Sequence, residues 1–104
     1  MHYNISKENE KIACHYGYEE QSNQLIEECA ELIQAVNKYR RAKIAGNKHK
    51  VQMALENLTE EISDVEIMLE QIKYLLNIPE EELQVTKLYK VNRTKERMLK
   101  GEGE

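Results

Sequence analysis

Two short acidic segments carry the carboxylates that are the best candidates for a functional site. They are EECAE, residues 27–31, and EEISD, residues 60–64. Each segment sets two carboxylates three positions apart, a spacing that places both on one face of a helix. No other pair of acids in the chain has this spacing, and the four residues are Glu28, Glu31, Glu61 and Asp64. Grouped carboxylate oxygens suit a hard divalent cation such as Mg²⁺ or Mn²⁺.

Both acidic pairs are predicted to lie on or beside an apolar helix face. At roughly 100° per residue, the apolar side chains around each segment fall into one stripe. The first stripe consists of Leu25, Cys29, Leu32, Val36 and Tyr39, widened by Ile26 and Ile33. The second consists of Ala54, Leu58, Val65, Leu69, Ile72 and Leu76. Glu61 projects from the middle of its stripe, and Glu28 is expected at the rim of the other.

An ionised carboxylate in such a position needs a partner. Because burial of an isolated charge is strongly unfavourable, the carboxylate must be protonated, paired or bound to a metal. No Lys or Arg occupies either stripe near the acids. Four carboxylates converging from two antiparallel helices would also repel one another. We therefore expect a divalent cation as the counter-charge, whereas a solvated helix flank remains the alternative for Glu27 and Glu60.

Both acid pairs are predicted to lie on helices. The predicted helices cover residues 5–16, 19–45, 50–76 and 79–99. Gly17 is expected to separate the first two, Gly46 to end the second, and Pro79 to occupy the first position of the last. Charged residues make up 33% of the 104 residues, with no Trp, no Phe and one Pro, a composition typical of long helices.

The sequence therefore predicts an all-α fold in a single domain over residues 1–104. About four helices should form a bundle that oligomerisation completes, because a chain of this length buries only a marginal core. Ile67 and Tyr74 would give the third helix a second apolar edge. We expect a homodimer or a dimer of dimers.

Other classes of function have less in their favour. A net charge of −4 gives no general case for nucleic acid. The chain shows no signal peptide and no run of membrane-spanning length, so we expect no membrane partner and a cytoplasmic protein. Cys14 and Cys29 have neither zinc nor disulfide spacing. No Glu-x-x-His pair indicates a di-iron bundle, and no glycine-rich phosphate loop is present.

The two acidic segments resemble the paired motifs of a known family. EECAE followed on the next helix by EEISD is similar to the EExxE and ExxD motifs of the MazG-like all-α nucleoside triphosphate pyrophosphohydrolases, which are related to dimeric dUTPases and phosphoribosyl-ATP pyrophosphohydrolase. The resemblance covers residues 17–93. It implies Mg²⁺, with Mn²⁺ as a substitute, held by Glu28, Glu31, Glu61 and Asp64. It also implies that Glu27 is a further ligand or orients the attacking water, so that Glu27, Glu28 and Glu61 are catalytic.

The same resemblance implies where a nucleoside triphosphate would bind. The residues expected to contact its phosphates form a cluster near the C-terminus: Lys87, Lys90, Asn92 and Arg93. Gln21, Gln24 and Tyr16 precede the acids by one or more helical turns and are candidates for the base pocket. The implied reaction is attack of water at the α-phosphorus, which yields a nucleoside monophosphate and pyrophosphate.

A non-enzymatic function is the alternative. The chain has no acid from Leu32 to Leu55. Basic residues cluster there instead, and they are Lys38, Arg40, Arg41, Lys43, Lys48 and Lys50. Solvated cations near a helix end explain this pattern simply. A helical adaptor or a nucleic-acid-binding protein that uses residues 38–50 would explain it as well.

Overall fold

The fold is all-helical. A computed structural model describes residues 4–104, and these form α1 (Ile5–Ala45), α2 (Lys48–Leu75) and α3 (Glu80–Leu99). Residues 1–3 of the predicted domain lie outside the described part. None of the helices in residues 4–104 has both the length and the hydropathy needed to cross a bilayer.

Gly17 breaks α1 as the sequence predicts. Its φ of 83° and ψ of 171° are not helical and are accessible essentially only to glycine. Asn9 and Gln21 both hydrogen-bond to the side chain of Gln71, although an unbroken helix would hold them about 18 Å apart along its axis. The chain therefore folds back at Gly17, so that Asn9 and Gln21, on either side of the break, meet at the same part of α2.

Short polar caps set the helix ends. The side chain of Asn4 accepts a hydrogen bond from the Lys7 amide, and that of Asn47 accepts one from the Lys50 amide. Gly46 ends α1 with a φ of 73°. Because Asn47 is already the cap, α2 begins two residues earlier than predicted. Pro79 has the extended backbone of a cap (ψ 140°) and not the first helical position expected for it.

The seam between α1 and α2 is narrow and built largely from small or polar residues. The buried residues of α1 are Asn9, Ala13, Gln21, Ala35 and Ala42, and those of α2 are Val65, Met68 and Gln71. Several large apolar residues of the predicted stripes are exposed in the single chain: Ile26, Ile33, Val36, Leu69 and Leu76. Alanine allows the two helices to approach closely, and the bulkier side chains consequently remain outside the seam.

α3 packs against neither of the other helices within residues 4–104. An ion pair between Lys73 and Glu80 joins it to the end of α2. α3 has no buried residue, and its side chains Val85 and Leu88 are 69% and 63% exposed. The radius of gyration of 17.5 Å also exceeds the roughly 13 Å of a compact chain of 100 residues. The predicted four-helix bundle is thus not formed by the single chain and stays a prediction.

The reversal at Gly17 yields a stability prediction. Gly17→Ala should lower the free energy of unfolding by about 1–3 kcal/mol, because alanine is strained at this φ and ψ. A Cβ at Gly17 would meet nothing within 4 Å, so backbone strain is the only expected effect. Urea unfolding followed by circular dichroism measures it. Gly103→Ala, at a glycine without a positive φ, serves as the control, and equal stability of both variants would contradict the assignment.

Candidate metal centre

Three of the predicted acids meet where α1 and α2 pack. Glu28 and Glu31 of α1 and Glu61 of α2 each have a carboxylate oxygen, and these three oxygens all lie within 4.8 Å of one another. Glu28 and Glu61 are half-buried, whereas Glu31 is exposed. The cluster therefore opens to solvent on one side, as a site that receives a ligand must.

Heptad spacing places the acids in the middle of the seam. Residues seven apart occupy nearly the same angular position on a helix. Along α1 the buried or half-buried residues at this spacing are Gln21, Glu28, Ala35 and Ala42, and along α2 they are Ala54, Glu61, Met68 and Leu75. Glu28 thus lies on the central line of α1 and not at the rim expected from the sequence.

Two carboxylate oxygens in the cluster are buried without a partner. Glu28 Oε2 and Glu61 Oε2 are inaccessible to water and receive no hydrogen bond from residues 4–104. The other oxygen of Glu28 accepts a hydrogen bond from Gln24 Nε2 at 2.8 Å. The two ion pairs in the described residues, Lys11–Glu8 and Lys73–Glu80, lie elsewhere. The buried oxygens consequently have unused ligand capacity and no cation from the chain itself.

The electrostatic environment raises the pKa of Glu28. The hydrogen bond from Gln24 acts alone in lowering this pKa, because it stabilises the carboxylate. Desolvation and the negative charges of Asp64 and Glu31 act in the opposite direction and together prevail. Glu28 is therefore held near other negative charge at a net electrostatic disadvantage. A bound cation would remove this disadvantage.

The other predicted residues on α1 and α2 lie near the cluster or on its flank. Asp64 is half-buried and close enough for its charge to act on Glu28, but it is not among the three acids whose oxygens converge. Glu27 and Glu60 are exposed. Gln24 orients the Glu28 carboxylate, and its predicted role in substrate binding stays a prediction.

The predicted phosphate-contacting residues are not brought to the acids by the single chain. Lys87, Lys90, Asn92 and Arg93 are exposed on α3, which packs on neither helix of the seam. The Arg93 guanidinium lies 5.9 Å from the ring centroid of Tyr89. Any contribution of this cluster to the site would have to come from another copy of the chain.

Sequence reasoning missed a buried layer of amides. Gln21 Nε2 donates to Gln71 Oε1 at 2.7 Å, and Gln71 Nε2 donates to Asn9 Oδ1 at 2.6 Å. Asn9 Nδ2 in turn donates to the Ile67 carbonyl at 3.0 Å. The heptad spacing of Gln21 from Glu28 was the available signal, because it puts both on one helix line. The structure also buries Glu70 Oε1 without a hydrogen-bond partner in residues 4–104.

No family model, curated protein or solved structure shows a significant match to this chain. The resemblance to the MazG-like group therefore rests on the two acidic motifs, and the site is interpreted from its own geometry.

The raised pKa of Glu28 predicts how stability depends on pH. Because the folded-state pKa lies above the ordinary value of 4.5, the native state binds more protons than the unfolded state in the window just above that value. The contribution of Glu28 to stability is then complete below 4.5 and is lost as pH rises through the folded-state pKa. In EDTA, Glu28→Gln should be at least as stable as the wild type at neutral pH, and this advantage should shrink on acidification.

Thermal melts from neutral pH down to about pH 4 measure this difference across the titration range of glutamate. Glu27→Gln, which changes an exposed neighbour, should follow the wild-type profile. A Glu28→Gln protein that is less stable than the wild type at neutral pH would contradict the electrostatic assignment.

Proposed function

We propose that the protein is a Mg²⁺-dependent nucleoside triphosphate pyrophosphohydrolase. It would convert an NTP or dNTP to the nucleoside monophosphate and pyrophosphate. The observation that carries this proposal is the convergence of Glu28, Glu31 and Glu61 within 4.8 Å, with two oxygens buried and unpaired. The MazG-like motifs around these residues supply the reaction class.

The donor set fits a hard divalent cation. All three converging groups are carboxylates, the ligands that Mg²⁺ and Mn²⁺ prefer. Glu28, Glu31 and Glu61 would hold the ion, with Asp64 as the fourth predicted ligand beside Glu28. When bound, such an ion neutralises phosphate charge and lowers the pKa of a coordinated water to that of a usable nucleophile.

The side chains of the chain itself have separate tasks in this proposal. Gln24 fixes the orientation of Glu28 through a hydrogen bond to one carboxylate oxygen, and the other oxygen is left without a partner. Glu27 is exposed and is the group assigned to accept the proton of the attacking water. Lys87, Lys90 and Arg93 would steady the triphosphate from the α3 of a second copy, because their own α3 is remote from the seam.

A panel of canonical and modified nucleoside triphosphates with Mg²⁺, assayed for pyrophosphate release, tests the activity. The expected result is a nucleoside monophosphate and pyrophosphate in equal amounts from at least one substrate. Turnover of none would favour the non-enzymatic adaptor, whose binding should need no metal and should weaken steeply with salt. The cytoplasmic location stays a prediction.

Glu61 is the sharpest test of the metal centre. Glu61→Gln keeps the shape of the side chain but removes a desolvated charge, so the metal-free variant should be as stable as the wild type or slightly more so. It should lose more than about a hundredfold in activity, since even residues that only support metal ligands often contribute that much. It should also lose the stabilisation by Mg²⁺, which for the wild type is about 2.7 kcal/mol at a hundredfold excess over Kd.

Thermal melts in EDTA, in Mg²⁺ and in NaCl of equal ionic strength measure these effects. Glu60→Gln, an exposed neighbour on α2, should retain both the Mg²⁺ response and the activity. A Glu61→Gln protein that is strongly destabilised without metal and still responds to Mg²⁺ would contradict the proposal, because it would indicate a structural ion pair.

We also propose that two or four copies assemble. The support is the amount of apolar surface that the single chain leaves exposed: Ile26 and Ile33 on α1, Leu69 on α2, Leu76 at the C-cap of α2, and Leu88 on α3. Surface of this kind is typical of an obligate interface. Association would also place an α3 helix near the acids.

Light scattering at micromolar concentration should therefore give a mass of at least twice the chain mass of 12.3 kDa. Leu88→Glu should shift the mass toward that of the monomer, because it places a charge on the apolar face of α3. Thr86→Glu, on the opposite face of α3, is the matched control. A monomeric wild-type protein would refute the assembly.

A further inference from the structure

A groove of about 620 Å³ lies at the closed end of the α1–α2 hairpin. Its lining comes from both helices: Lys38, Arg41 and Ala42 from α1, and Lys50, Met53 and Asn57 from α2. The sequence has many basic residues in this region. The packing of the two helices brings three of them, Lys38, Arg41 and Lys50, into the lining of one groove.

The positive charge in the groove is uncompensated. Lys38, Arg41 and Lys50 take part in neither of the two ion pairs found in residues 4–104. The chain also has no acid between Leu32 and Leu55, and none of the residues that line the groove is acidic. Three cations held in one groove focus a positive potential that attracts an anion.

The lining and the size of the groove restrict the anion. Ala42 and Met53 make part of the lining apolar, and Asn57 adds an amide. A volume of about 620 Å³ is in the range of sites for single small molecules. Arg and Lys side chains converging from two helices suit the several oxygens of phosphate groups. A small phosphate-bearing molecule therefore fits better than a long nucleic acid.

The groove continues the seam that holds the acidic cluster. Lys38 follows Glu31 by seven residues, which places it on the same face of α1 about 10 Å further along the axis. Asn57 precedes Glu61 by one helical turn on α2. In the other direction the seam carries Gln24 and the buried amide layer, without a basic residue. A polyphosphate that extends from the acids along the seam of one chain would therefore find cations on one side only.

We propose that this groove, lined by Lys38, Arg41 and Lys50, is a binding site for phosphate groups and receives the distal phosphates of the triphosphate substrate. The inference that the groove binds phosphate depends only on its basic lining and its size, whereas its link to the substrate rests on the proposed function. Two groups along one seam then have separate roles. The carboxylates would hold the cation, and the basic residues would hold the pyrophosphate part of the triphosphate, which is the leaving group.

Binding of inorganic tripolyphosphate in EDTA, measured by calorimetry, tests the groove alone, because without metal the acids repel the probe. The double variant Lys38→Gln/Arg41→Gln should weaken binding by about tenfold or more, since each charge-assisted hydrogen bond that is lost lowers the affinity by about a factor of ten. The matched control is Arg40→Gln/Lys43→Gln. It removes the same charge from exposed residues of α1 that do not line the groove.

Equal weakening by both double variants would overturn the site, because it would show diffuse attraction to the basic segment. Absence of tripolyphosphate binding to the wild type would overturn it as well. So would tighter binding of a single-stranded oligonucleotide or an acidic peptide than of tripolyphosphate at the same salt concentration.

Steady-state kinetics with a hydrolysed triphosphate separate the two sources of phosphate. A higher KM in Lys38→Gln/Arg41→Gln than in the control variant supports the distal phosphates of the substrate as the ligand. Weakened tripolyphosphate binding with an unchanged KM supports the groove but assigns it to a separate phosphate ligand. If no triphosphate is hydrolysed, the proposed function fails while the calorimetric result for the groove stands.

Discussion

The negative charge of Glu28 and Glu61 between α1 and α2 is the main constraint on how these two helices pack. Glu28 and Glu61 occupy positions that a purely structural hairpin would fill with apolar side chains, and each keeps one buried oxygen without a hydrogen bond. Against the hydrogen bond from Gln24, desolvation and the negative charges of Asp64 and Glu31 raise the pKa of Glu28. The repulsion between Glu28 on α1 and Asp64 on α2 works against close packing of the two helices. Natural sequences retain such locally unfavourable positions mainly where function requires them.

The remainder of the seam accommodates this charge at the expense of its own hydrophobicity. Alanines and a chain of buried amides through Gln71 replace the large apolar residues that would otherwise fill it. Satisfied amides specify the arrangement of the segments on either side of Gly17, but they contribute little net burial energy. The bulky apolar side chains consequently remain on the outer faces, so the stability of the fold and the proposed association of chains are linked.

A negatively charged cluster and a positively charged groove lie one after the other along the α1–α2 hairpin. The acids lie near the middle of the seam, and the groove of Lys38, Arg41 and Lys50 lies toward its closed end. A negative cluster alone would repel a triphosphate, and a basic groove alone would hold one without positioning its α-phosphorus. In the proposed function, the two together with a divalent cation would provide attraction and orientation, which are the main needs of phosphoryl chemistry.

Sequence patterns predict the helices, because local rules fix them: the break at Gly17 and the end at Gly46 depend on the backbone preferences of single residues. The cap at Asn47 was missed, so the predicted start of α2 was two residues late. The sequence also identified the acid pairs, since a spacing of three residues is a property of one helix. The packing of α1 against α2 determines which helix line faces the seam. The apolar residues of α1 near Glu28 form a broad stripe, so periodicity could not exclude Ile26 or Ile33, and it placed Glu28 at the rim. The convergence of the acids, the basic groove and the detachment of α3 depend on the register between helices, which is set by side-chain fit across the seam.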